Sequence, residues 1–140
     1  MSVKIVVVDD DRTTLALLEK ALIMRGFWVY SASDGEEGYE LVKQEMPDLV
    51  LSDMLMPKVH GLDLCKKIKT SSELAHIKVI MMTGVYKGSV GKKETEKEGG
   101  DGFIVKPLDM QLLLSLIFKL LKIDEEEFSR EFVKTEHDDD

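Results

Sequence analysis

The sequence predicts an α/β fold in which five parallel strands form one sheet with helices on both faces, and three observations predict it. Five short runs rich in Val, Ile, Leu, Met and Phe alternate with longer stretches of helical periodicity. Each return to a parallel strand needs a crossover, which those helical stretches supply. Acids, a hydroxyl and a lysine stand just past the ends of four of the runs, where the carboxyl edge of an open sheet collects ligands and chemistry.

The elements follow in order. Val3 to Val8 reads as a first strand that ends in Asp9, Asp10 and Asp11. Leu15, Leu18 and Leu22 then share one helical face, and Gly26 stops that helix. Phe27 to Tyr30 reads as the second strand, and Ser33 or Asp34 can cap a short helix that carries Tyr39, Leu41 and Val42 and ends before Pro47. Leu49 to Ser52 forms a buried third strand that delivers the carboxylate of Asp53 to its end, with a loop from Met54 to Gly61 beyond it. Leu64, Cys65 and Ile68 mark a third helix. Lys78 to Met82 is a fourth strand ending at Thr83, and Gly102 to Val105 a fifth ending at Lys106 and Pro107. Met110 to Ile123 is the last long helix.

A chain of 140 residues, 44% of them apolar, fills one domain of ordinary size. Its single cysteine, Cys65, cannot make an internal disulfide, so the chain reads as intracellular, reduced and cytoplasmic, with Cys65 packing as a small apolar side chain. No secretory signal or membrane-spanning run is visible. The net charge of -8 sits in the tail: residues 124–140 hold nine acids against Arg130 and Lys134. Direct nucleic-acid binding is not expected, because no basic stripe is available to displace counterions. Nine acids with only three apolar residues also favour little independent structure in that tail.

If all five strands are parallel, Asp9, Asp10, Asp53, Thr83 and Lys106 share one sheet edge. Taken together, VVVDDD at 6–11, D-x-x-M-P at 53–57 with Gly61, Thr83 after an apolar strand, and FIVKP at 103–107 resemble the receiver domain of bacterial two-component response regulators. The resemblance places a receiver domain at 1–123 with an acidic tail at 124–140, and it implies the flavodoxin-like strand order 2-1-3-4-5. It further implies that Asp53 accepts a phosphoryl group, that Asp9, Asp10, Asp53 and the backbone carbonyl of Leu55 hold Mg²⁺, for which Mn²⁺ can substitute, and that Lys106 and Thr83 contact the phosphoryl oxygens. A cis bond between Lys106 and Pro107 and a switch role for Thr83 and Phe103 come with it. The implied donor is a sensor histidine kinase or a histidine phosphotransfer protein. The implied output is a downstream protein partner, or a homodimer, on the face made by the fourth helix, the fifth strand and the last helix.

Several residues depart from the family's usual pattern. His60 stands where an Asp is common, a turn position that leaves the chemistry untouched. Leu55 and Val85 are apolar where side chains flank the attacking water's route, so the phosphoaspartate is expected to be long-lived. The stretch from Gly84 to Gly102 holds six of the ten glycines, with only Val85, Tyr86 and Val90 as anchors, so the fourth helix is expected to be short or mobile. The last helix is apolar around most of its circumference, an excess that suggests docking of a second copy or of the tail through Phe128, Phe132 and Val133. The expected function is a stand-alone receiver that is no enzyme beyond its own phosphorylation and dephosphorylation. One rival is a phosphatase with an aspartyl nucleophile, which would want an acid at position 55. The other is a degenerate receiver that acts unphosphorylated as an interaction module.

Overall fold

The computed structural model describes residues 2–54, 56, 60–84 and 88–138, with residues 88–90 and 134–138 described by backbone alone. Leu55, Val85 and Tyr86, and the side chain of Val90, therefore lie outside the described residues. The elements are β1 (Lys4–Val8), α1 (Arg12–Met24), β2 (Trp28–Ala32), α2 (Gly35–Glu45), β3 (Leu49–Asp53), α3 (Gly61–Lys69), β4 (Lys78–Thr83), α4 (Gly88–Lys97), β5 (Gly102–Val105), α5 (Met110–Leu121) and α6 (Glu125–Asp138).

All strand pairs are parallel and the sheet order is β2-β1-β3-β4-β5, as expected. Alternation along the strands sends side chains to two cores. Ile5, Val7, Leu49, Leu51, Ile80 and Met82 face α1 and α5, while Val6, Val8, Val50, Val79 and Met81 face α2 and α3. Because both faces are covered, the strands read as continuous apolar runs. Caps fix the helix starts: Asp11 accepts the Thr13 N–H, Asp34 the Glu37 N–H, and Asp109 the N–H groups of Gln111 and Leu112.

The acidic tail is the main correction. Instead of lacking structure, residues 125–138 form α6. Asp124 accepts the Glu127 N–H at 2.8 Å, and Glu125 to Glu127 lie in the first turn, where the helix dipole favours negative charge. Phe128 and Phe132 are one turn apart, so both reach the domain. Phe128 is buried, stacked on Phe27 at 4.8 Å between ring centroids and edge-on to Phe118 at 5.5 Å. Arg25 pairs with Glu125 at 2.7 Å. Phe132 lies over Gly26, which holds φ +103 and whose Cβ, if present, would meet the ring at 2.9 Å. Tail docking thus answers part of α5's apolar excess. Leu113, Leu114, Ile117 and Phe118 are buried, while Leu112 remains exposed. Phe27 belongs to this aromatic cluster, and β2 begins at Trp28, one residue later than the sequence suggests.

The fourth helix is also better anchored than the sequence implies. α4 runs ten residues, with Thr95 buried and its hydroxyl donating to the Gly91 carbonyl at 2.8 Å. Gly91 lies against the ring of Phe103 and the sulfur of Met54. Cys65 is buried beneath the end of α4, and burial pushes its thiol up to about 11, in keeping with an inert packing residue.

Candidate functional site

The site is built from strand ends at the carboxyl edge of the sheet. β1 stops at Val8, so Asp9 leaves the sheet with its N–H donating to the Ala32 carbonyl at 3.1 Å and its side chain fully buried. One Asp9 oxygen accepts the Asp11 N–H at 2.9 Å; the other accepts Lys106 Nζ, also at 2.9 Å. Asp53 closes β3. Its Oδ1 lies 3.2 Å from the same ammonium, and its side chain is 14% exposed. Asp10 is exposed, yet carboxylate oxygens of Asp9, Asp10 and Asp53 all lie within 4.8 Å of one another. Asp11 stands apart from this cluster: the Thr14 hydroxyl and the Thr13 N–H hold its carboxyl below the ordinary value, as befits a helix cap.

Backbone bonds keep the loops in place around these groups. The Lys106 N–H donates to the Thr83 carbonyl at 2.6 Å, joining the ends of β4 and β5, and the Lys106–Pro107 bond is cis. Thr83 is buried and pairs in register with Val105, one step beyond the Asp53–Met82 pair. The Met54 N–H donates to Met82 and the Gly61 N–H to Met54, each at 3.0 Å, which curls the loop back over β3. That curl brings Gly61 so close to Asp53 that a Cβ would run into the Asp53 carbonyl oxygen, so only glycine fits.

Among the described residues, the site is short of positive charge. Burial, and then the nearby charge of Asp9, hold the Asp53 carboxyl above its ordinary value, while Lys106 acts against both. For Lys106, burial favours the neutral amine. Its hydrogen bond to Asp9 and the charge of Asp53 outweigh that, so its pKa is raised and it stays an ammonium at neutral pH. Among the described residues, one ammonium pairs with Asp9 and Asp53, and Asp10 adds a third carboxylate beside them. Hard oxygen donors so grouped, with a net negative charge to neutralise, fit a divalent cation of the Mg²⁺ type.

Asp9, Asp10, Asp53 and Lys106 are thus brought together, and Thr83 stands at the adjoining strand end. The expected backbone ligand at Leu55 lies outside the described residues. Phe103 sits on β5, half-buried, with its ring against Gly91, which also meets the sulfur of Met54. His60 takes the position before α3 without a side-chain cap bond, consistent with its reading as a turn residue. What the sequence did not signal is the seating of α4 against Phe103: Thr95 and Gly91 look like ordinary polar and helix-weakening residues in a charged run.

A five-stranded parallel sheet with acids and a lysine gathered at its carboxyl edge defines a class of α/β domain with a charged site at the strand ends. The chain belongs to the response regulator receiver domain family, whose model matches residues 5–118. Among its relatives, the protein named "Probable transcriptional regulator ycf27" of Guillardia theta is 38% identical over 120 residues, covering 85% of this chain and 45% of that protein. A response regulator receiver domain protein from Clostridium thermocellum is 31% identical with a TM-score of 0.78, covering 86% of this chain and 94% of that one. A CheY-like receiver domain protein from Methanospirillum hungatei JF-1 is 28% identical with a TM-score of 0.79, covering 94% of this chain and 99% of that one. The chain spans about half the length of the curated relatives it matches first. Among the described residues, no helix is long and apolar enough to cross a membrane.

Proposed function

We propose that this chain is a receiver that takes a phosphoryl group on Asp53 from a phosphohistidine of a sensor kinase or phosphotransfer protein and signals to a protein partner. The observation that carries the proposal is a single ammonium, Lys106 Nζ, shared by buried Asp9 and by Asp53 at the end of β3. An Asp53 oxygen attacks phosphorus, the P–N bond breaks, and its electron pair stays on the imidazole nitrogen, leaving an acyl phosphate. Phosphoryl transfer depends mainly on positioning and charge neutralisation. Lys106 supplies positive charge on one side. Asp9, Asp10 and Asp53, with the Leu55 carbonyl, would hold Mg²⁺, which when bound neutralises charge on the phosphoryl oxygens.

Once Asp53 is modified, its ion pair with Lys106 is replaced and the Thr83 hydroxyl donates to the phosphoryl group. Thr83 and Phe103 then relay the change to the face of α4, β5 and α5, where the ring already lies against Gly91. That face serves the downstream partner, and a homodimer there would use the same switch. No turnover of outside substrates is proposed. The test is to incubate the protein with Mg²⁺ and acetyl phosphate and weigh it intact. A single phosphoryl adduct that disappears in Asp53→Asn and with a chelator is expected. Catalytic release of phosphate from added esters would sink the proposal in favour of a phosphatase, and no adduct at all would favour the unphosphorylated module.

A further inference from the structure

Among the described residues, β2 is an edge strand paired only with β1. The Trp28 N–H donates to Val3 and the Ala32 carbonyl accepts from Asp9, so Trp28, Tyr30 and Ala32 bond inward and the N–H and C=O groups of Val29 and Ser31 point away from the sheet. Natural edges are usually guarded by charge, proline, a bulge or shortness. The other edge, β5, has four residues and is bracketed by Asp101 and Lys106. The stretch from Gly26 to Ser33 has no charge and no proline. Beside it runs an apolar groove of about 870 Å³ lined by Ile23, Met24, Trp28, Tyr30 and Phe132. Ile23, Met24 and Trp28 are each more than half exposed.

We propose that this edge is an interface between two copies of the chain, joined by antiparallel pairing of β2 about a two-fold axis at Tyr30. The register follows from the outward groups. Val29 exchanges both backbone bonds with Ser31 of the second copy, and Tyr30 meets its own equivalent. Trp28 falls opposite Ala32 of the second copy, a large exposed ring facing a small side chain.

Charge also permits a second copy despite the net -8. The joined strands are uncharged. Antiparallel pairing sends the two Gly26 residues, over which the acidic α6 helices dock, about 25 Å apart along the ladder. That exceeds a Debye length of about 8 Å at physiological ionic strength. A stable two-fold interface takes about 800 Å² from each copy. The surface available for it is Trp28, Met24 and Ile23, each more than half exposed, with the open parts of Tyr30 and Phe132 and the outward strand backbone.

Sedimentation equilibrium of the full chain without phosphodonor, at about 0.15 M salt, tests the proposal. A dimer is expected that dissociates at least about tenfold more readily in Trp28→Lys. Ser31→Pro is expected to act alike, since the N–H it removes points outward and an edge strand tolerates proline there; circular dichroism checks that both variants remain folded, and both keep the Asp53 adduct. The dimer is also expected to weaken at about 0.01 M salt, where the Debye length grows to about 30 Å. Leu112→Glu, on α5, leaves it intact. A chain that is monomeric at several hundred micromolar, which is also how an edge meant for a different protein's strand would behave, overturns the proposal. So does a dimer that survives both β2 variants or is lost in Leu112→Glu.

Discussion

The two ends of the sheet are built on opposite terms. At the carboxyl end, three carboxylates crowd together, two of them paired with Lys106, and burial works against the charge of Asp53. At the amino end, Phe27, Phe118 and Phe128 pack ring to ring and α6 closes over them. The comparison teaches a division of labour: one end carries the chemistry at some cost in stability, and the other contributes stability without touching the chemistry. Changes at the two ends should therefore have separable effects.

The largest expected effect is at the carboxyl end. Asp53→Asn should abolish the acyl phosphate adduct entirely, as read by intact mass, while leaving the fold in place. Removing Lys106 by Lys106→Ala should both slow adduct formation and destabilise the domain, because it strands the fully buried Asp9 carboxylate without its counter-charge. A loss of about 3 kcal/mol or more in urea unfolding is expected.

At the amino end, Phe128→Ala should cost about 3 kcal/mol by removing a buried ring, with no change in the rate of adduct formation. If that variant lost phosphorylation at wild-type levels of folded protein, the two ends would not be independent.

How much of this the sequence revealed follows the same line. The carboxyl end was legible because its residues are chemically distinctive and fall at strand ends, so Asp9, Asp10, Asp53, Thr83 and Lys106 could be placed from pattern and resemblance together. The amino end was legible only in part: the apolar excess of the last helix pointed to docking of a second copy or of the tail through Phe128 and Phe132, but nothing local marks Phe27 as a partner of Phe128, about a hundred positions along the chain. Composition favoured little independent structure in the tail; three phenylalanines meeting across the fold, and a salt bridge from Arg25, seat it as a helix on the domain. The Thr95 and Gly91 seating of α4 was hidden for a similar reason, since a close approach between helix and strand leaves no periodic trace.

The smallest expected effect has a pH signature. In the metal-free protein, Asp53 has a folded pKa above its ordinary value, so the folded state holds that proton more tightly than the unfolded chain does. Its ionisation therefore destabilises the fold: the penalty is absent below the ordinary carboxylate range and is complete above the raised folded value. Asp53→Asn should melt a few degrees higher than wild type at neutral pH without metal, and the difference should vanish on acidification. A variant that melts lower at neutral pH would contradict the crowding of charge at this end.

The central claim is that the strand-end acids form one divalent-cation site, and a Mg²⁺ titration followed by amide NMR tests it most directly. Saturable shifts concentrated at residues 9–11, 53–54, 83–84 and 106, and lost in Asp53→Asn, are predicted. Shifts centred instead on the glutamates of α6, or no saturable response, would contradict it.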